Sequence, residues 1–126
     1  MTIDRNHPVI VGAHEVAVRT ADAEPIAMMA TSARGALAEA GDALLPSIET
    51  IRVVQGVWPY EDPGTLLANY LDLPGVTTAL TRIGGNATYD LVNQTAMDIA
   101  SGEVRAAIVC GAESMRTRRR DRASGK

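Results

Sequence analysis

From Ile26 onward the apolar positions fall at Met29, Ala30, Ala33, Leu37 and Ala40, three or four residues apart. That interval places them on one side of a helix, since about 3.6 residues make a turn. Pro25 precedes the stripe where a first helical turn tolerates proline, and Gly41 follows it where a helix end favours positive φ. The chain before it has a different pattern. Pro8-Val9-Ile10-Val11-Gly12 is a short β-branched run followed by the alternating Val16-Ala17-Val18, and it predicts a buried first strand. Pro46 forces a connection, after which Ile51-Arg52-Val53-Val54-Gln55-Gly56-Val57 predicts a second strand from its β-branched content.

Asp62-Pro63 reads as an N-cap followed by a first-turn proline, with Leu66, Leu67, Tyr70 and Leu71 forming the apolar side of a helix that Leu73-Pro74-Gly75 ends. Residues 76–83 predict a third strand, and Gly84-Gly85-Asn86 a tight corner. Leu91, Val92, Thr95, Ala96 and Ile99 then share one side of a helix closed by Gly102, and Ala106-Ala107-Ile108-Val109-Cys110 predicts a fourth strand. The order βαβαβαβ implies an α/β fold with helices flanking a mainly parallel sheet, because parallel neighbours need crossover connections.

Length and composition narrow the function classes. The 126 residues suit one domain, for which roughly 100–200 residues are usual. A lone Cys110 forms no internal disulfide, no Cys/His cluster has zinc spacing, and no apolar run is long enough to cross a bilayer. Met1 is followed by the charged Asp4-Arg5 rather than an apolar leader, so the expectation is a cytoplasmic protein without metal or membrane span.

The net charge of −3 conceals a segregation. Residues 1–115 carry six arginines against fourteen acids, which gives −8, whereas Arg116, Arg118, Arg119, Arg120, Arg122 and Lys126 crowd the last eleven positions beside Asp121 alone. An acidic body with 3% aromatic residues repels a phosphate backbone and offers few stacking platforms, so nucleic-acid binding is not expected. Residues 116–126 have no leucine, isoleucine, valine or aromatic residue to bury and predict a flexible basic tail. The run Arg118-Arg119-Arg120 reads first as solvated, with anionic partners as the sharper alternative.

Chemistry in an open α/β sheet collects where strands run into helix N-termini. Gly84, Gly85, Asn86 and Thr88 form such a corner, where free N–H groups and the helix dipole would favour an anion or cofactor phosphate. No Gly-x-Gly-x-x-Gly or P-loop lysine accompanies them, so a steric turn is the plainer reading. Thr88 reads as a capping residue before it reads as a nucleophile. Cys110 ends an apolar strand and reads as buried. Glu113 is a candidate base or a hydrogen-bonded structural carboxylate, and Trp58, Pro59 and Tyr60 suit either a partner interface or core packing.

Asn93-Gln94, Ile99-Ala100-Ser101-Gly102-Glu103 and Ala107-Ile108-Val109-Cys110-Gly111-Ala112-Glu113-Ser114-Met115 resemble the thiolase superfamily. In that family a strand enters a nucleophilic Cys-x-Ser-Gly corner, an alanine-rich helix ends at glycine, and the next strand leads into Gly-Gly-x-Glu-Ser-Met. Upstream, residues 8–12, 51–57 and 62–74 are similar to the family's first strand, second strand and following helix. The resemblance covers most of residues 8–115. It implies an incomplete three-layer thiolase-like half with a mixed, mainly parallel sheet over residues 1–115, and residues 116–126 as the start of the family's loop region. Acyl-CoA thioesters would be the substrates in acyl-CoA metabolism, with no covalently bound cofactor.

In the same register the family's cysteine falls on Gly85, its serine on Ala87 and its glycine on Thr88. A glycine carries no acyl group, so thiolysis or condensation by the family's mechanism is not expected. The sequence looks most like thiolase-like proteins of type one, often called acetyl-CoA acetyltransferases, in which that cysteine is missing. The family's catalytic histidine, second cysteine and nucleotide-binding residues are expected in a later half, and His7 and His14 match none of them. The family's subunits pair beside the third strand, so residues 76–83 could pair with a second copy or a thiolase-like partner. Three readings therefore stand: an inactive thiolase-like portion, a non-enzymatic interaction module, and a small anion- or CoA-binding domain.

Overall fold

A computed structural model describes residues 5–19, 23–114, 119 and 121–125. The first stripe becomes helix α1, Pro25–Ala40, with Pro25 in its first turn. Gly41 ends it at φ 94°, returning its N–H to the Leu37 carbonyl at 2.9 Å. Only glycine takes that conformation without strain. A 3-10 helix, Asp42–Ser47, absorbs Pro46 and leads into strand β1, Ile48–Val53. Helix α2, Pro63–Leu71, is capped as its sequence predicts: the Asp62 carboxylate accepts from the Thr65 N–H at 3.1 Å and from its hydroxyl at 2.6 Å. Those bonds hold the Asp62 carboxyl below the usual carboxylate range. Strand β2 is Thr77–Leu80, helix α3 is Ala87–Ala100 and strand β3 is Ala106–Cys110.

Among the described residues the three strands form a wholly parallel sheet in the order β2-β1-β3, with Ile51 opposite Thr78 on one side and Ile108 on the other. The chain steps from β1 to one edge through α2, then returns past β1 to the other edge through α3. Right-handed crossovers in opposite directions place their helices on opposite faces. Accordingly, Ile51 and Val53 pack with Ile26, Met29 and Ala30 of α1 and with Leu67 and Ala68 of α2. Arg52, pointing the other way from β1, donates to the Thr95 hydroxyl of α3 at 3.0 Å and pairs with Asp98 at 2.7 Å.

The predicted first strand is the main correction. Residues 8–12 form no strand and join no sheet, and Val9 and Ile10 are 69% and 84% exposed. The segment lies along α1 instead. A Cβ on Gly12 would overlap the Ala36 carbonyl, the His14 ring sits over Gly35, and the Ala13 N–H reaches Glu39 Oε2 at 3.5 Å. β-Branched residues supply the preference for a strand, but a ladder also needs a partner, and among the described residues none pairs with this segment. Among the described residues the order is therefore αβαβαβ rather than βαβαβαβ, and the three strands are all parallel, in keeping with the mainly parallel sheet expected of a thiolase-like half. The second and third strands are also shifted and shortened, from residues 51–57 to Ile48–Val53 and from residues 76–83 to Thr77–Leu80. Arg119 and residues 121–123 are helical. Met115 and residues 116–118, 120 and 126 lie outside the described residues, and with them five of the eleven positions of the predicted flexible tail.

Candidate functional site

The corner between β2 and α3 is held from β1. The Thr81 N–H donates to the Val53 carbonyl at 3.0 Å, and the Thr81 hydroxyl oxygen accepts from the Gln55 N–H at 3.0 Å. Past this anchor, Gly84, Gly85 and Asn86 are exposed. Neither glycine has positive φ, and a Cβ on either would meet no atom within 4 Å. The expected turn forms, with the Ala87 N–H donating to the Gly84 carbonyl at 3.1 Å, but it does not need glycine; the backbone here would accept a side chain. Asn86 takes the N-cap position without a side-chain capping bond, and Thr88 lies one residue inside the first turn, so Thr88 is not the cap. Asp90 in that first turn already places a negative charge where the helix dipole would favour one, which works against an added anion.

The other sequence candidates are occupied in structure. Cys110 ends β3 and packs against the core, where burial pushes its thiol up to about 12. A thiol in that state is a poor nucleophile at neutral pH. The Glu113 carboxylate accepts from the Val57 N–H and, at 3.1 Å, from the Ser114 N–H, joining the segments that follow β1 and β3. Trp58 and Tyr60 pack on each other with ring centroids 5.1 Å apart and border the core. The Trp58 Nε1–H donates to the Ala112 carbonyl at 2.9 Å, and the Tyr60 hydroxyl donates to Glu24 at 2.9 Å. Burial, then the Glu24 bond, raises the Tyr60 hydroxyl to about 12. The core-packing reading of this pair is the one the geometry favours.

Two features escaped the sequence reading. Arg52 and Asp98, with side chains 13% and 14% exposed, form the link between β1 and α3. The Arg52 bond, followed by one from Gln94 at 2.9 Å, holds the Asp98 carboxyl below its ordinary value. The available signal was an arginine in the middle of a β-branched run. The second feature is a cavity of about 1040 Å³ between residues 8–16, α1, α3 and β3, with Thr88 among its lining residues. Its walls are mainly apolar, and the described residues hold no cluster of metal-ligating side chains. Nor do they include a helix long and apolar enough to cross a membrane.

No family model and no curated protein matches the chain. Among solved structures it is similar to a monomeric SCP2-thiolase like protein type 1 from Mycobacterium smegmatis, with a TM-score of 0.74 and 22% sequence identity. The match covers 85% of this chain and 23% of that one, so the chain spans less than a quarter of that relative's length. Identity this low speaks for architecture alone. The parallel β2-β1-β3 sheet, with α1 and α2 on one face and α3 on the other, is one part of a thiolase-like α/β fold.

Proposed function

We propose that this chain is a thiolase-like portion related to acyl-CoA metabolism that does not itself carry out thiolysis or condensation. The observation that carries the reading is Gly85. On the resemblance to thiolases it stands where their nucleophilic cysteine stands, on an exposed corner before α3 with open space around it. Covalent acyl transfer needs a nucleophile with a lone pair, and glycine offers none. Cys110 is no substitute, because its thiol is buried and held protonated. Coenzyme A thioesters remain the substrate class that the fold suggests, with no residue of this chain assigned to the nucleotide. Cleavage of acetoacetyl-CoA by the purified chain is expected to stay at the buffer rate. Turnover above that rate, surviving in Cys110→Ser, would overturn the reading.

A second reading is favoured by one feature of the sheet. β2 is an edge strand, with Thr77, Ala79 and Leu80 exposed, so a second copy or a thiolase-like partner could pair with it. The relative above is described as monomeric. Sedimentation equilibrium at high micromolar concentration decides: dimers that dissociate on Ala79→Pro support pairing at β2, and a strictly monomeric chain rejects pairing between copies.

A further inference from the structure

Trp58 and Tyr60 are half-buried. They pack on the core, and they also line a cavity of about 380 Å³ where the segments after β1 and β3 meet the start of α1 and Asp121-Arg122. The polar end of each ring is already engaged. The Trp58 Nε1–H donates to the Ala112 carbonyl, and the Tyr60 hydroxyl donates to Glu24 and accepts from the Ile26 N–H at 3.4 Å. What the rings offer the cavity is therefore carbon surface and π electrons, in orientations that these bonds set before any ligand arrives. Pro25, Val57 and Pro59 add to the apolar part of the wall.

The charge around the rings is one-sided. Among the described residues that line the cavity, Glu24, Glu113 and Asp121 stand against Arg122 alone. Aromatic rings with an excess of carboxylates attract a cation and repel an anion. The bonding of the carboxylates narrows the kind of cation. Glu24 accepts from Tyr60, and Glu113 accepts from the Val57 and Ser114 N–H groups, so donors of the chain itself already engage both. A primary ammonium or a guanidinium carries several N–H donors and would leave water here without an equal set of acceptors. A quaternary ammonium has no N–H to satisfy and draws only on the charge and the rings. At roughly 30 Å³ per water-sized unit, the cavity takes on the order of a dozen non-hydrogen atoms. That is room for a trimethylammonium group with a short chain, and too little for a nucleotide.

We propose that this cavity binds the quaternary ammonium group of a small molecule, held against Trp58 and Tyr60 and neutralised by the carboxylates around them. The contact is reversible and involves no covalent step. Neither Gly85 nor the corner before α3 takes part, so this site and the thiolase-like reading can fail separately.

The chain supplies its own probe, because Trp58 is its one tryptophan. The full chain is titrated with choline chloride while sodium chloride holds the ionic strength constant, and Trp58 emission is read. A saturable change is expected. The neutral carbon isostere of choline, 3,3-dimethyl-1-butanol, keeps the shape and loses the charge, and it is expected to bind at least about tenfold more weakly. Ethanolamine, a primary ammonium, is also expected to bind more weakly than choline. Tyr60→Leu should weaken choline binding by at least about tenfold, whereas Tyr60→Phe, which keeps the ring, should stay within about threefold of the parent. No saturable change, equal binding of the neutral isostere, tighter binding of ethanolamine, or unchanged binding in a folded Tyr60→Leu would overturn the proposal. Acetyl-trimethyllysine-amide stands for the same group on a protein. Its binding tighter than choline by about tenfold would overturn the assignment to a small molecule.

Discussion

The two sides of β1 differ in how completely they are built. On the face that α1 and α2 cover, Ile51 and Val53 meet Leu67 of α2 and Met29 of α1, and all four side chains are fully excluded from solvent. On the face that α3 covers, only Thr95 of that helix is buried and Val92 and Met97 remain open, and residues 8–12, which pair with no strand, line a cavity between α1, α3 and β3. The two regions have similar sequence patterns: helical apolar spacing in α1 and in α3, β-branched runs at 51–54 and at 9–11. An apolar pattern therefore marks a surface to be covered, and neighbours decide whether it becomes core. Burial contributes about 25 cal/mol per Å² of apolar surface only where that surface leaves water.

The largest contrast comes from truncating one residue on each side. Leu67→Ala should cost about 2–5 kcal/mol in urea unfolding, as for a fully buried leucine, whereas Ile10→Ala should change stability by less than about 0.5 kcal/mol. Equal costs would break the comparison. Gly12→Ala comes next. Its new methyl group would overlap the Ala36 carbonyl, an overpacking cost of about 1–3 kcal/mol that the segment relieves by leaving α1. Hydrogen exchange over residues 9–14 should quicken while β1 exchange holds. Asp62→Ala removes the α2 cap and should cost about 1 kcal/mol in the same unfolding assay.

The smallest effect is in pH dependence. Asp62, Asp98 and Glu49 are held below their ordinary values in the folded chain, the last mainly by the backbone N–H and then the side chain of Arg105. The unfolded chain takes up protons first as pH falls, so their contribution is full above about pH 4–5 and is lost on further acidification. Asp98→Asn should flatten that acid limb. Cys110 acts in the opposite direction. Its thiol titrates near 12 when folded and near 8.5 when unfolded, so stability should decline as pH rises above about 8.5. Unfolding midpoints across pH read both limbs.

Local signals in the sequence were reliable where the cause is local. The Asp62 cap, the Gly41 stop and the residues of β3 are all read from adjacent side chains, and the structure has them in place. The positive φ of Gly102, just past α3, belongs with them. What depends on distant partners was not legible. Val9-Ile10-Val11 has the composition of a strand, but nothing in that run states whether another strand lies beside it. Arg52 and Asp98 are 46 residues apart and meet only because right-handed crossovers bring α3 over β1. The corner at Gly84 and Gly85 was legible in position, since it follows from a strand running into a helix. Its glycines misled in conformation, because neither uses the freedom that glycine has.

Native-state hydrogen exchange of the chain alone tests most directly whether the thiolase-like frame is finished on one side and open on the other. The amides of Ile51 and Val53 should exchange at the slowest, globally limited rates, and those of Val9, Ile10 and Val11 at nearly unprotected rates. Protection of Val9–Val11 equal to that of Ile51 and Val53 would place residues 9–11 in the sheet and contradict the account.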